Sequence, residues 1–135
     1  VRPPFLEIED DRNPGKLVQY RDVPKEKLPL AESLKDTAER VNFYFDSAIA
    51  VQLKKEKNVL VTAHGNSLRA LIMRLEHLTP EQILDLNLPT GIPIVYELNQ
   101  ELEVEQRKYL GDPVWIKEKI NQVAAQGRKK EADYG

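Results

Sequence analysis

Six consecutive residues hold most of the chemical potential of this sequence: Thr62-Ala63-His64-Gly65-Asn66-Ser67. Histidine can donate a hydrogen bond or a proton near neutral pH. Gly65 permits a sharp turn and a close backbone approach by an anion. Asn66 and Ser67 then open a helix whose unpaired N–H groups point at the same spot. A phosphate or similar oxyanion is the natural occupant, with His64 as the donor. The same letters also describe a structural turn, in which the histidine is merely hydrogen-bonded and Asn66 or Ser67 only caps the helix. Spacing alone does not separate the two readings. Arg69 stands close enough to assist an anion, although an ion pair is its more ordinary use.

Little else in the chain competes. The second histidine, His77, lies in Glu76-His77-Leu78 with no His-Glu-x-x-His pattern and no ligand at metal spacing, so it reads as a helix-end residue favoured by the dipole. There is no cysteine, which removes disulfides, thiolate zinc sites and thiol nucleophiles. No Gly-x-Ser-x-Gly, Walker or dinucleotide glycine loop occurs. Glu7, Glu9, Asp10 and Asp11 precede Gly15, but Arg12 and the position of the glycine break the calcium-loop pattern. No metal site is expected.

The elements that must position His64 can be read on either side of it. Residues 1–29 contain Pro3, Pro4, Pro14, Pro24 and Pro29 and no sustained periodicity, which predicts an irregular loop. Leu34, Ala38, Val41, Phe45, Ala48, Ile49 and Gln52 form one stripe within a helix spanning about 31–56. Asn58 to Ala63 is a short apolar run without alternation, predicted to be a strand covered on both faces, with His64 at its carboxyl end. Leu68, Leu71, Ile72, Leu75 and Leu78 continue at helical spacing. Thr79-Pro80-Glu81-Gln82 carries a cap, a first-turn proline and a capping box. Pro89 to Pro93 is a rigid turn before strands at 94–98 and 103–110, which a short polar turn joins as a hairpin. The strand at 58–63 and the strand at 94–98 flank a helical connection and are expected to be parallel. Asp112-Pro113 opens a last helix with Ile116, Ile120, Val123 and Ala124 inward; Gly127 is expected to end it, leaving 128–135 as a mobile polar tail. The fold class is α/β.

Composition narrows the setting. A chain of 135 residues, 41% hydrophobic and 7% aromatic, supports one aliphatic core. Twenty basic against 22 acidic residues argue against a duplex nucleic-acid partner. No apolar run approaches the ~20 residues of a membrane span, and the first residues do not read as a signal peptide. A cytoplasmic globular protein is expected. The first residue is Val1 and the only methionine is Met73, so the expectation is a processed product or a portion of something longer.

Three long motifs then carry a resemblance: Leu28-Pro29-Leu30-Ala31-Glu32-Ser33-Leu34-Lys35-Asp36-Thr37, Ala63-His64-Gly65-Asn66-Ser67-Leu68-Arg69-Ala70-Leu71, and Leu86 through Leu98, with Tyr109-Leu110-Gly111-Asp112 and Ala124-Ala125-Gln126-Gly127 behind them. In this order they resemble the cofactor-dependent phosphoglycerate mutases of the histidine phosphatase superfamily. The resemblance implies the carboxyl-terminal part of a single three-layer α/β domain. It further implies interconversion of 3-phosphoglycerate and 2-phosphoglycerate through a phosphohistidine, primed by 2,3-bisphosphoglycerate, without a metal, in a homodimer or homotetramer. His64 would then be the second active-site histidine, with Gly65 and Asn66 in the phosphoglycerate-binding segment and Lys129 and Lys130 as weak phosphate contacts. Ala31 stands where the family shows a hydroxyl or thiol residue able to cap the helix, which would weaken helix entry. The family's Arg-His-Gly nucleophile motif, its proton-donor glutamate and its arginine pair have no counterpart in these 135 residues. Its first strand, which lies between the strands matching 58–63 and 93–98, is missing with them. The isolated chain is therefore expected to be inactive and poorly stable or self-associated. A truncated phosphate-binding module, and a bisphosphoglycerate mutase or phosphatase of the same superfamily, are the alternatives.

Overall fold

The computed structural model describes the backbone of residues 2–132 and the side chains of residues 2–125. The amino-terminal loop carries three short 3-10 turns, Pro14–Lys16, Val18–Tyr20 and Lys25–Lys27. Asn13 organises its first half: its side chain donates to the Glu7 carbonyl at 3.1 Å and accepts from the Gly15 N–H at 2.9 Å. The acidic cluster is used internally, since Arg12 grips the Asp10 carboxylate and holds it down to about 2.

Helix α1 (Leu34–Tyr44) runs without a break through a π-helical turn (Phe45–Ile49) into α2 (Ala50–Leu53). Its N-cap is Ser33 and its first residue Leu34, three residues inside the expected boundary. The Ser33 hydroxyl accepts from the Asp36 N–H, and the Asp36 carboxylate accepts from the Ser33 N–H, a reciprocal capping box. Ala31 is therefore not at the cap, and its lack of a hydroxyl does not weaken helix entry. Arg2 adds two hydrogen bonds to Asp36, at 3.0 and 2.6 Å, tying the start of the loop to the start of the helix.

Helix α3 (Gly65–Leu75) packs on α1, and α4 (Pro80–Leu84) follows it. Among the described residues, Ala38, Phe45, Ala50, Ala70, Ile72, Ile83 and Ile92 are buried hydrophobic residues. Ala38 of α1 and Ala70 of α3 are among these buried residues. His77, at φ 53, ends α3 in the left-handed conformation, while Leu78 N–H reaches the Met73 carbonyl at 3.0 Å, a Schellman closure. The Thr79, Pro80 and Gln82 capping box forms as the sequence predicts.

Strands β1 (Ile94–Leu98) and β2 (Val104–Tyr109) pair antiparallel with a bulge after Glu97. Asn99 closes the hairpin by accepting from Glu103 N–H at 2.8 Å, with Leu102 at φ 65. A half-buried network joins this hairpin to α3: Arg107 reaches Glu76 at 3.0 Å and Tyr109 at 2.8 Å, and the Tyr96 hydroxyl donates to Glu76. Burial first, and then that bond to Glu76, raises the Tyr96 phenol above its ordinary range.

Two expectations fail here for one reason. Residues 58–63 form no strand; their backbone makes no hydrogen bond to another segment among the described residues, and the sheet has only β1 and β2. A strand exists only through its partner, and no described segment pairs with 58–63. The parallel crossover with β1 is accordingly absent. Coverage on both faces fails too: Val59 and Val61 are half-buried, whereas Leu60 is 89% exposed.

Helix α5 (Pro113–Ala132) starts as predicted, with Asp112 accepting from the N–H groups of Val114 and Trp115 at 2.9 and 3.1 Å. Among its described side chains, Ile116, Lys119, Ile120, Val123 and Ala124 are half-buried. It continues through Gly127, contrary to expectation. Glycine stops a helix only where the chain turns left-handed; inside a helix it costs about 1 kcal/mol and is tolerated. The expected tail at 128–135 thus begins as helix, while residues 133–135 and the side chains of Lys129 and Lys130 lie outside the described residues.

Candidate active site

His64 is the N-cap of α3. Its backbone is extended at φ −62 and ψ 150, its carbonyl accepts the first helical bond from Leu68 N–H at 3.0 Å, and its Nδ1 accepts from the Asn66 N–H at 3.3 Å. Asn66 and Ser67, which the sequence reading placed at the helix opening, sit one position further in. Histidine is not a favoured cap, so spacing gave no signal of this role. The bond has a chemical consequence. Nδ1 must keep its lone pair for the N–H, so the ring proton resides on Nε2, the nitrogen away from the helix.

The remaining donors of the first turn are unspent. Neither the Gly65 nor the Ser67 N–H has a protein acceptor among the described residues, and both belong to the positive end of an 11-residue helix. Gly65 is not in a left-handed turn, which corrects the expectation of a sharp bend there. A Cβ at Gly65 would meet nothing within 4 Å, so neither conformation nor protein packing requires glycine at this position. His64, Gly65 and Asn66 are all exposed. The predicted trio thus lies exposed at the start of α3, beside backbone N–H groups without a protein acceptor among the described residues.

Arg69 behaves differently from its expected ion pairing. Among the described residues it has no carboxylate partner; its Nε donates to the Leu86 carbonyl at 3.1 Å and its Nη1 to Asn66 Oδ1 at 3.4 Å. Nothing in the spacing of residues 17 apart announces that contact. His77 lies beyond the far end of α3, whose 11 residues span about 16 Å by the usual rise per residue. A cleft of about 680 Å³ also lies at that end, between Asn42, Phe45, Arg74 and Leu102, and contains none of the His64 group.

Comparison with known proteins decides the family. Residues 5–107 match the model of the histidine phosphatase superfamily (branch 1). The chain belongs to that superfamily. Among relatives of this histidine phosphatase chain, a 2,3-bisphosphoglycerate-dependent phosphoglycerate mutase of Lachnoclostridium phytofermentans is 52% identical over 128 residues, covering 95% of this chain and 51% of its own length. Proteins of the same name from Treponema denticola and Borreliella burgdorferi are 48% and 47% identical over 130 residues, 53% and 52% of their own lengths. The chain spans about half the length of the curated relatives it matches. The mixed helix and sheet architecture is consistent with a partial fold of this type. Among the described residues, no helix is long and apolar enough to cross a membrane.

Proposed function

We propose that these 135 residues are the carboxyl-terminal part of one phosphoglycerate mutase domain and supply the phosphoryl-stabilising side of its site. In the complete enzyme, 3-phosphoglycerate and 2-phosphoglycerate are interconverted through a phosphohistidine. His64 stabilises the phosphoryl group in transit, and Gly65 and Asn66 hold the phosphoglycerate.

One observation supports this reading: His64 caps α3 through Nδ1, leaving Nε2 as its donor nitrogen, and the N–H groups of Gly65 and Ser67 in the first turn of the same helix are unpaired among the described residues. Phosphoryl transfer is catalysed mainly by positioning and by charge stabilisation, and donors of fixed orientation supply both. The absent side chain at Gly65 leaves room for a phosphoryl oxygen against the backbone. The names of the relatives support the same substrate class.

When bound, 2,3-bisphosphoglycerate supplies the priming phosphoryl group, and the donor set at His64, Gly65 and Ser67 fits such a group. The set contains no nucleophile. Arg-His-Gly occurs nowhere in the sequence, and His77 is a helix length away, so the phosphorylated histidine belongs to residues outside these 135.

A coupled assay with 3-phosphoglycerate, with and without catalytic 2,3-bisphosphoglycerate, tests the proposal. The complete polypeptide should form 2-phosphoglycerate in a primed reaction, and the 135 residues alone should form none. Release of inorganic phosphate in place of 2-phosphoglycerate would instead indicate a phosphatase of the same superfamily.

A further inference from the structure

We propose that Arg69 is a positioning residue that fixes the polarity of the Asn66 amide, an inference that rests on the phosphoglycerate-binding role given to Asn66 above. Arg69 stands one helical turn after Asn66, so the two side chains share a face of α3. A guanidinium can only donate hydrogen bonds. By donating to Asn66 Oδ1 at 3.4 Å, it dictates which end of the amide faces the helix and which faces outward. The two Nδ2 hydrogens are turned away from Arg69, and Nδ2 has no protein acceptor among the described residues. An anion requires that polarity. With the amide reversed, Oδ1 would face a phosphate oxygen and repel it.

The second bond of Arg69 makes it a fixed donor rather than a mobile cation. Its Nε donates to the Leu86 carbonyl at 3.1 Å, anchoring the guanidinium on the loop that leads through Pro89 and Ile92, both buried, to β1. The side chain is half-buried and has no carboxylate to follow. Loop, arginine and asparagine therefore form a relay. The loop orients the guanidinium, and the guanidinium orients the amide.

The test is a double-mutant cycle in the complete polypeptide, with 3-phosphoglycerate as substrate and thermal melts on every variant. Asn66→Ala should raise KM by about tenfold, the effect of one lost hydrogen bond to a charged oxygen, with kcat less affected. Arg69→Met should raise KM to a similar degree, and the double variant should be no worse than Asn66→Ala alone. Multiplying effects, or an Arg69→Met KM at the wild-type level beside a raised KM for Asn66→Ala, overturn the relay while leaving the role of Asn66 intact. An Asn66→Ala variant with wild-type KM and kcat removes that role, and the relay with it. Should Arg69→Met not fold, Arg69→Lys keeps the stem and charge but cannot reach Leu86 and Asn66 together. A raised KM with an unchanged melt supports the relay, and a wild-type KM overturns it.

Discussion

The Nδ1 of His64 accepts the backbone N–H of Asn66 at 3.3 Å, so a single imidazole caps the helix through one nitrogen and keeps its proton on the other. The cap fixes the tautomer, and the tautomer makes Nε2 a donor. On the proposed function, the structural and chemical roles that compete in the sequence fall to opposite nitrogens of one ring.

These roles separate by substitution. His64→Ala should lose about 0.5–1 kcal/mol of stability, as for a lost N-cap, whereas His64→Asn, a good cap, should melt like the wild type. Denaturant titration of the two variants reads the difference. Equal losses would show that the cap contributes nothing.

Gly65 offers the converse case. Because a Cβ there meets no protein atom within 4 Å and the backbone is not left-handed, Gly65→Ala should leave stability unchanged or raise it by up to about 1 kcal/mol. The new methyl group should nonetheless raise the KM for phosphoglycerate. A drop in melting temperature would mean that packing, not ligand space, explains the glycine.

Much of this arrangement was legible in advance. The Thr79, Pro80 and Gln82 box and the Asp112 cap appear where local chemistry puts them, because each depends on residues within a turn, and the strand from Ile94 to Leu98 forms because its hairpin partner follows closely in the chain. Failures occur where partners are distant or absent. Residues 58–63 have strand chemistry but no neighbour to pair with, and Arg69 finds Leu86 through the fold rather than through spacing. The capping role of His64 was not visible, since histidine rarely serves as a cap.

Acid should destabilise the loop-to-helix junction. Hydrogen bonds from Arg2 first, and from Ser33 next, hold the Asp36 carboxyl well below the usual carboxylate range. Its folded value is depressed, so its contribution is present above the unfolded value of about 4 and is lost as pH falls through the folded value. Melts between pH 6 and pH 2 should show this loss, and Asp36→Asn should start less stable but lose less on acidification. Parallel curves for the two proteins would contradict the assignment.

Leu60 predicts behaviour of the 135 residues by themselves. It is 89% exposed, between two half-buried valines and on a backbone with unpaired groups, which is a template for intermolecular pairing. Light scattering should find self-association that Leu60→Lys reduces. A concentrated wild-type solution that stays monomeric would rule this out.

The central claim is that His64 stabilises a phosphoryl group in transit. Its most direct test is the primed turnover of 3-phosphoglycerate by the complete polypeptide carrying His64→Asn, the variant that keeps the cap. The account predicts a fall in turnover of about 10²–10³-fold or more, as for a lost stabilising donor, at an unchanged melting temperature. Turnover equal to the wild type would contradict it.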